Sequence, residues 1–224
     1  MDMSVADAAA RLGMTVSRVR QLIASELLPA HKVGTQWILD GSEVERYQPQ
    51  RRGRPVSEAS AWNFLQYISC NAPAFQEPTQ HALARYRAWQ RNLRACSDEA
   101  IANNFIALVR NRADTRLLSV DRHEVTGLGR DHRLTVSGVS HPQSGLLTNA
   151  EVEGYVSRKL FDRLRRDWLL VHSASQREVN VILHVTSAVP DPLPIAAVAA
   201  DLAEHDGVRE KAQAVQILRR LVGD

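Results

Sequence analysis

Two short runs of apolar side chains at spacings of three and four, broken by a Leu-Gly pair and followed by an alternating stretch, fill the first 47 residues. Few folds accept that order at that length. In the first run Val5, Ala8, Ala9 and Leu12 share one helical face. Ser4 precedes it, and its hydroxyl can accept a free amide hydrogen of the first turn. Asp7, three residues on, stands where a capping box has Glu or Gln. Gly13 is expected to close this helix, because glycine enters the left-handed region without a Cβ penalty. Thr15 is a good N-cap for a second helix. There Val19, Leu22 and Ile23 face inward, and Val16, Ser17, Arg18, Arg20 and Gln21 remain outside. The alanines let two helix backbones approach closely. Lys32-Val33 then lead into Gly34-Thr35, and Trp37-Ile38-Leu39 return as a short hairpin. Ser42-Glu43-Val44-Glu45 is a capping box that starts a closing helix through Tyr47.

Taken together, Ala-Ala, Leu-Gly, Val-x-x-Leu-Ile, Leu-Leu-Pro, Val-Gly and Trp-Ile-Leu in this order resemble the MerR/excisionase family of winged helix-turn-helix domains. The likeness covers about a fifth of the chain. It implies that the second helix enters the major groove and that the hairpin, or wing, touches flanking backbone or minor groove. On this sequence it makes Ser17, Arg18 and Gln21 the base readers, with Val16 beside them. Arg20 and Lys32 become phosphate ligands, and Thr35 and Gln36 form the wing tip. Arginine can pair in bidentate fashion with guanine, and glutamine with adenine. A winged domain kept only for protein contacts is the other reading of the same surface.

Arg51-Arg52-Gly53-Arg54-Pro55 follows at once. Arg-Gly-Arg-Pro is the core of an AT-hook, and an extended segment carrying Arg51, Arg52 and Arg54 fits the narrow A·T minor groove. A plain basic linker reads the same way from sequence.

The chain has 224 residues, of which 44% are hydrophobic. That suits two or three small domains with real cores. No apolar run reaches the ~20 residues that span a membrane, and no basic-then-apolar leader suggests export. Cys70 and Cys96 lack metal or redox spacing. A cytoplasmic, nucleoid-associated protein is expected. Net charge is only +3, so where the charges sit matters more than their sum. Arginines number 25 against three lysines. Phosphate and base-edge recognition would favour that bias, but so would a GC-rich coding sequence.

The fold class expected is α+β. Residues 1–50 form the winged helix-turn-helix domain and residues 51–57 the AT-hook-like linker. Residues 58–138 form a second small helical, winged-helix-like module, and residues 139–224 an α+β domain for dimerisation or partner binding. In the middle module one helix carries Ala61, Phe64, Leu65 and Ile68, and a second carries Leu83, Tyr86, Trp89 and Leu93. A third, capped at Ser97-Asp98-Glu99, carries Ile101, Phe105, Ile106 and Val109. Strands are expected near 116–120 and 134–136. Arg85, Arg87, Arg91 and Arg94 ride on the second helix, as another DNA contact or as a solvated face. In the last part 149–156 reads as helix, 168–172 and 179–185 as two strands of a hairpin, and 196–221 as helix broken at His205-Asp206-Gly207.

Three segments of this last part resemble the C-terminal half of actinobacterial regulators encoded beside abortive-infection-type nucleotidyltransferase toxins. They are Glu151-Val152-Glu153-Gly154-Tyr155-Val156, Val179-Asn180-Val181-Ile182-Leu183-His184-Val185, and Ala199 through Glu210. This resemblance implies self-association or a cognate toxin as partner.

Signals for catalysis are sparse. The eight histidines form no His-Glu-x-x-His or similar spacing, so no metal is expected. Asp121-Arg122-His123 and Arg130-Asp131-His132 could place a base beside a carboxylate, or they are solvent-exposed loops. His172 and His184, on facing strands, read as a pair or as satisfied core histidines. Gly127-Leu128-Gly129-Arg130 lacks the third glycine of a dinucleotide fingerprint, and there is no Walker loop or Gly-x-Ser-x-Gly elbow. The expectation is a homodimeric, sequence-specific regulator of double-stranded DNA, without enzymatic activity or cofactor, that recognises an inverted repeat. In its antitoxin form it represses its own operon. An excisionase-like or architectural DNA-bending factor of a mobile element is the alternative.

Overall fold

The computed structural model describes residues 2–12, 15–24, 28–34, 36–41, 44, 56–69, 77–146, 150–172 and 178–223. Contacts divide the chain into two units, Met1–Arg54 and Pro55–Asp224.

In the first unit, α1 (Val5–Arg11) and α2 (Val16–Ala24) pack on a three-stranded sheet. The start of α1 is fixed by a reciprocal box. Asp7 N donates to Ser4 Oγ at 3.2 Å, and Asp7 Oδ2 accepts from Ser4 N at 3.3 Å. Asp7 thus fills the role expected of Glu or Gln. The helix ends at Arg11 with Leu12 as C-cap; Gly13, the expected terminator, lies outside the described residues. Strand β2 (Ala30–Val33) pairs antiparallel with β3 (Gln36–Asp40), and Val33 faces Gln36 across a two-residue connection. Gly34 begins that connection at φ +62°, a conformation in which a side chain would be strained. Sequence reasoning missed β1 (Asp2–Ser4), which pairs with β3 and gives the order β1-β3-β2. The core is Val5, Ala8, Ala9, Val19, Leu22, Ile23, Leu28, Leu39 and Val44, with Trp37 packed against it. Burying each of the larger aliphatics contributes roughly 1.5–3 kcal/mol. Of the expected closing helix, Gly41 and Val44 are helical and buried, and its capping residues lie outside the described residues.

The second unit is built on a five-stranded sheet of order β5-β6-β8-β4-β7. The strands are β4 (Asp114–Ser119), β5 (Thr135–Val136), β6 (Val152–Ser157), β7 (Val171–His172) and β8 (Val181–Thr186). Strands β6 and β8 are parallel and the other pairs antiparallel. Side chains alternate across the sheet. Val152 and Val156 of β6 and Val181, Leu183 and Val185 of β8 join Leu118, Leu128 and Leu164 on one face, under α6 (Val125–Leu128) and α7 (Arg158–Asp167). A second core lies on the other side. It is made by α3 (Glu58–Ser69), α4 (Gln80–Arg94), α5 (Asp98–Val109), α8 (Ile195–Glu204) and α9 (Val208–Val222).

Three expectations are corrected here. Residues 58–138 and 139–224 are not separate modules. Strand β4 lies between β8 and β7, β5 pairs with β6, and α3 and α5 share one core with α8 and α9. Helix-typical residues misled the reading of 149–156, most of which belongs to β6, an interior strand between β5 and β8. Its glycine marks a close backbone approach, since a Cβ on Gly154 would stand 2.6 Å from the Thr135 carbonyl oxygen of β5. Finally, β7 and β8 are not a hairpin. Both pair with β4, which separates His172 from His184.

Candidate nucleic-acid interface

Helix α2 is amphipathic in the sense a groove-reading helix requires. Val19, Leu22 and Ile23 are buried, while Val16, at 38% relative exposure, Ser17 and Arg20 face outward. Arg18 and Gln21 lie on the same helix, but their side chains are outside the described residues. The helix starts directly after Thr15, whose carbonyl accepts from Val19 N at 3.1 Å. On the wing, Lys32 and Gln36 are exposed. Lys32 lies opposite Trp37 in the β2–β3 register, with its Nζ 5.4 Å from the ring centroid. Trp37 is anchored in the core, so this cation–π contact holds the ammonium on the wing at small entropic cost. Thr35, Arg51, Arg52 and Arg54 lie outside the described residues. Val16, Ser17, Arg20, Lys32 and Gln36 are therefore exposed on two elements of one small unit.

Sequence reasoning missed a second polar site, inside the second unit. The sheet face toward α8 carries Glu153 and Tyr155 from β6 and His184 and Thr186 from β8, all buried. Asp201 descends on them from α8, whose residues Ala196–Ala203 are otherwise small or aliphatic. Arg112, only 2% exposed, enters from a 3₁₀ turn at Arg110–Arg112. Arg112 Nη2 and Nε donate to Asp201 Oδ1 at 2.7 and 3.2 Å, and Nη1 donates to Glu204 Oε1 at 2.7 Å. Tyr155 OH donates to Asp201 Oδ1 at 2.8 Å, and Ser137 OH donates to Oδ2. Burial pushes the Asp201 carboxyl up, but His184 and Arg112 oppose it, and the four donors on its oxygens are the pattern of a carboxylate.

His184 Nε2 stands 2.9 Å from Glu153 Oε1 and 3.5 Å from Asp201 Oδ1. A nitrogen between two carboxylates carries a proton. Although burial opposes it, those carboxylates raise the His184 pKa. His205 Nε2 donates to Glu153 Oε2 at 2.8 Å, and that bond lifts His205 to about 8. Burial opposes ionisation of Glu153, but its two histidine bonds hold it at about 2. Arg112, His184 and His205 thus balance Asp201, Glu153 and Glu204. The Tyr155 ring stacks on His184 at 4.9 Å, and Trp62 meets Tyr155 edge-on at 5.1 Å.

Glu153, His184 and Asp201 each offer one ligand atom, and these atoms lie within 4.8 Å of one another. The set fits a cation poorly. Arg112, permanently charged, already bonds the Asp201 oxygen a metal would take, and His184 Nε2 would have to give up its proton. The cluster is an internal ion network joining α8 to β6, β8 and the Arg112 turn. Asp201, a single carboxylate in a run of alanine, valine and leucine, was the sequence signal for it. Arg112 carried no signal among so many arginines. Of the two loop triads, 130–132 departs from an exposed loop, because the Asp131 side chain is only 7% exposed. Asp131 accepts from Arg133 and Trp168, which hold it well below the usual carboxylate range, and His132 points into solvent.

Among the described residues no helix is long and apolar enough to cross a membrane. No curated protein and no solved structure matches the chain. The family described as "Helix-turn-helix domain" matches residues 3–52, the segment that forms α1, α2 and the wing. This chain therefore carries an N-terminal helix-turn-helix domain and is, in general terms, a DNA-binding regulator.

Proposed function

We propose that the chain is a sequence-specific transcription regulator that reads duplex DNA through α2 and the wing, and that it acts as the autorepressing antitoxin of a toxin–antitoxin module. The observation that carries the reading is the division of α2: Val19, Leu22 and Ile23 hold the helix in the core while Val16, Ser17 and Arg20 are left outward. In this reading Ser17, Arg18 and Gln21 meet base edges. Arg20 and Lys32 bind phosphates, Thr35 and Gln36 form the wing tip, and Arg51, Arg52 and Arg54 reach an adjacent minor groove. A homodimer presents its two recognition helices about 34 Å apart, which selects an inverted repeat. The antitoxin role rests on the resemblance of the segments around Glu153, His184 and Asp201 to regulators paired with nucleotidyltransferase toxins. Those three segments are neighbours in the second unit, as β6, β8 and α8. No catalytic step is part of this function.

Gel shifts with the protein's own upstream region at two salt concentrations test it. Arg18→Ala relaxes preference at one base position, whereas Arg20→Ala or Lys32→Ala weakens all duplexes alike and flattens the log–log salt slope by about 0.9. Co-expression with the product of an adjacent nucleotidyltransferase gene tests the antitoxin role. Wild-type binding by all three variants would refute the groove assignment.

A further inference from the structure

Helix α4 (Gln80–Arg94) carries Arg85, Arg87, Arg91 and Arg94 and no carboxylate. Outside this helix and α7, whose five basic residues are partly offset by Asp162 and Asp167, the second unit has more carboxylates than basic side chains, so α4 is the basic helix with no carboxylate of its own. Arg85 is engaged locally. Its guanidinium lies over Tyr86 and Trp89, 5.6 and 5.1 Å from the ring centroids, and donates to Ser60 Oγ at 3.4 Å. Arg87, Arg91 and Arg94 differ in every respect. All three are exposed, and at spacings of four and three they form one stripe turned away from buried Tyr86 and Leu93. Among the described residues, ion pairs form at Arg112, Arg133, Arg158, Arg163 and Arg219, and none of them includes these three. Asp98, just past the end of the helix, is taken by Arg219.

Three like charges on one stripe repel one another, and no carboxylate on the helix offsets them; only the C-terminal carbonyls do so in part, for Arg91 and Arg94. A polyanion laid along the stripe removes that repulsion and releases condensed counterions. Seven residues of helix rise ~10.5 Å. A DNA strand rises ~3.4 Å per phosphate but winds about the axis, so its phosphates stand roughly twice that far apart and the stripe reaches two or three of them. We propose that Arg87, Arg91 and Arg94 form a second DNA contact that grips the sugar–phosphate backbone and does not read bases. The choice of partner rests on the reading of the chain as a DNA binder.

The test uses the full chain, with Arg87→Gln, Arg91→Gln and Arg94→Gln combined. Glutamine keeps helix propensity at these exposed positions, and a thermal melt checks the fold. Binding to a duplex without the operator is measured across salt, beside Arg20→Ala plus Lys32→Ala. The stripe variant should lower the salt slope by about 2–3 and low-salt affinity by at least roughly tenfold. If it binds like wild type while the α2–wing double variant loses affinity, the stripe assignment alone is overturned. A stripe variant that loses binding beside an unaffected double variant supports the stripe and removes the α2–wing reading. Wild-type protein with no affinity for duplexes at low salt overturns both. Unchanged duplex binding with lost retention on polyglutamate overturns the DNA assignment in favour of an acidic protein.

Discussion

Replacing Asp201 by asparagine exchanges one oxygen for an NH2 group and deletes one buried charge. The shape is conserved and the hydrogen bonds can be re-formed, since Ser137 OH can turn from donor to acceptor. Electrostatics is what changes. Arg112, 2% exposed, keeps only Glu204, itself 30% exposed, as a carboxylate partner. His184 loses one of the two carboxylates that favour its charged form. Breaking a buried pair by removing one partner typically costs about 3–5 kcal/mol. Loss of charge on three of the acceptor's bonds gives a similar sum at roughly 1 kcal/mol each. Urea unfolding followed by tryptophan fluorescence reads this out, because Trp62, Trp89 and Trp168 all lie in the second unit. With a slope of ~2 kcal/mol/M the midpoint falls by about 1.5–2.5 M. Adding Arg112→Met costs little more, because a guanidinium short of its buried counter-charge is what the single change leaves behind. A midpoint shift below ~0.5 M at unchanged slope would refute the ion network as a structural lock.

Two further outcomes follow from the geometry. His205 is raised to about 8 by Glu153, so its contribution is complete below its unfolded value near 6.5 and is lost as pH rises through about 8. The side chain is 16% exposed, and after solvent screening the loss is about 1 kcal/mol. Urea midpoints at pH 6 and pH 9 should differ accordingly, and the difference should shrink in His205→Gln; an undiminished difference would assign it to other groups. Leu169 sits at φ +51° and 81% exposure just after α7, with its N–H bonded to the Arg166 carbonyl. That position favours glycine. Leu169→Gly should raise the thermal midpoint, by about 0.5–1 kcal/mol of stability net of glycine's chain entropy. A lower midpoint would mean that Leu169 packs usefully where it stands.

Local signals carried the first unit. Ser4 with Asp7, the spacing of Val19, Leu22 and Ile23, and Gly34 at the turn act within a few residues of one another, and each produced the element expected of it. In the second unit helices α3, α4, α5, α8 and α9 were legible for the same reason. Strand β6 was not, because Val152–Ser157 offers helix-compatible residues and is made a strand by β5 and β8 on either side. Nor was the separation of His172 from His184, because the strand inserted between them, β4, comes from more than fifty residues earlier.

From the order of residues alone came the periodicity of α2 and the wing, hence which side chains are held inward and which are left for a partner. Periodicity is a property of neighbours in sequence, so no tertiary knowledge is needed to see it. The convergence of Arg112, Glu153, His184, Asp201 and His205 belongs to the tertiary structure. Apart from Asp201, which stands out among small and aliphatic neighbours, each is an ordinary polar residue in its own segment, and a buried charge becomes tolerable only when strands and helices far apart in the chain bring its counter-charges within hydrogen-bond reach.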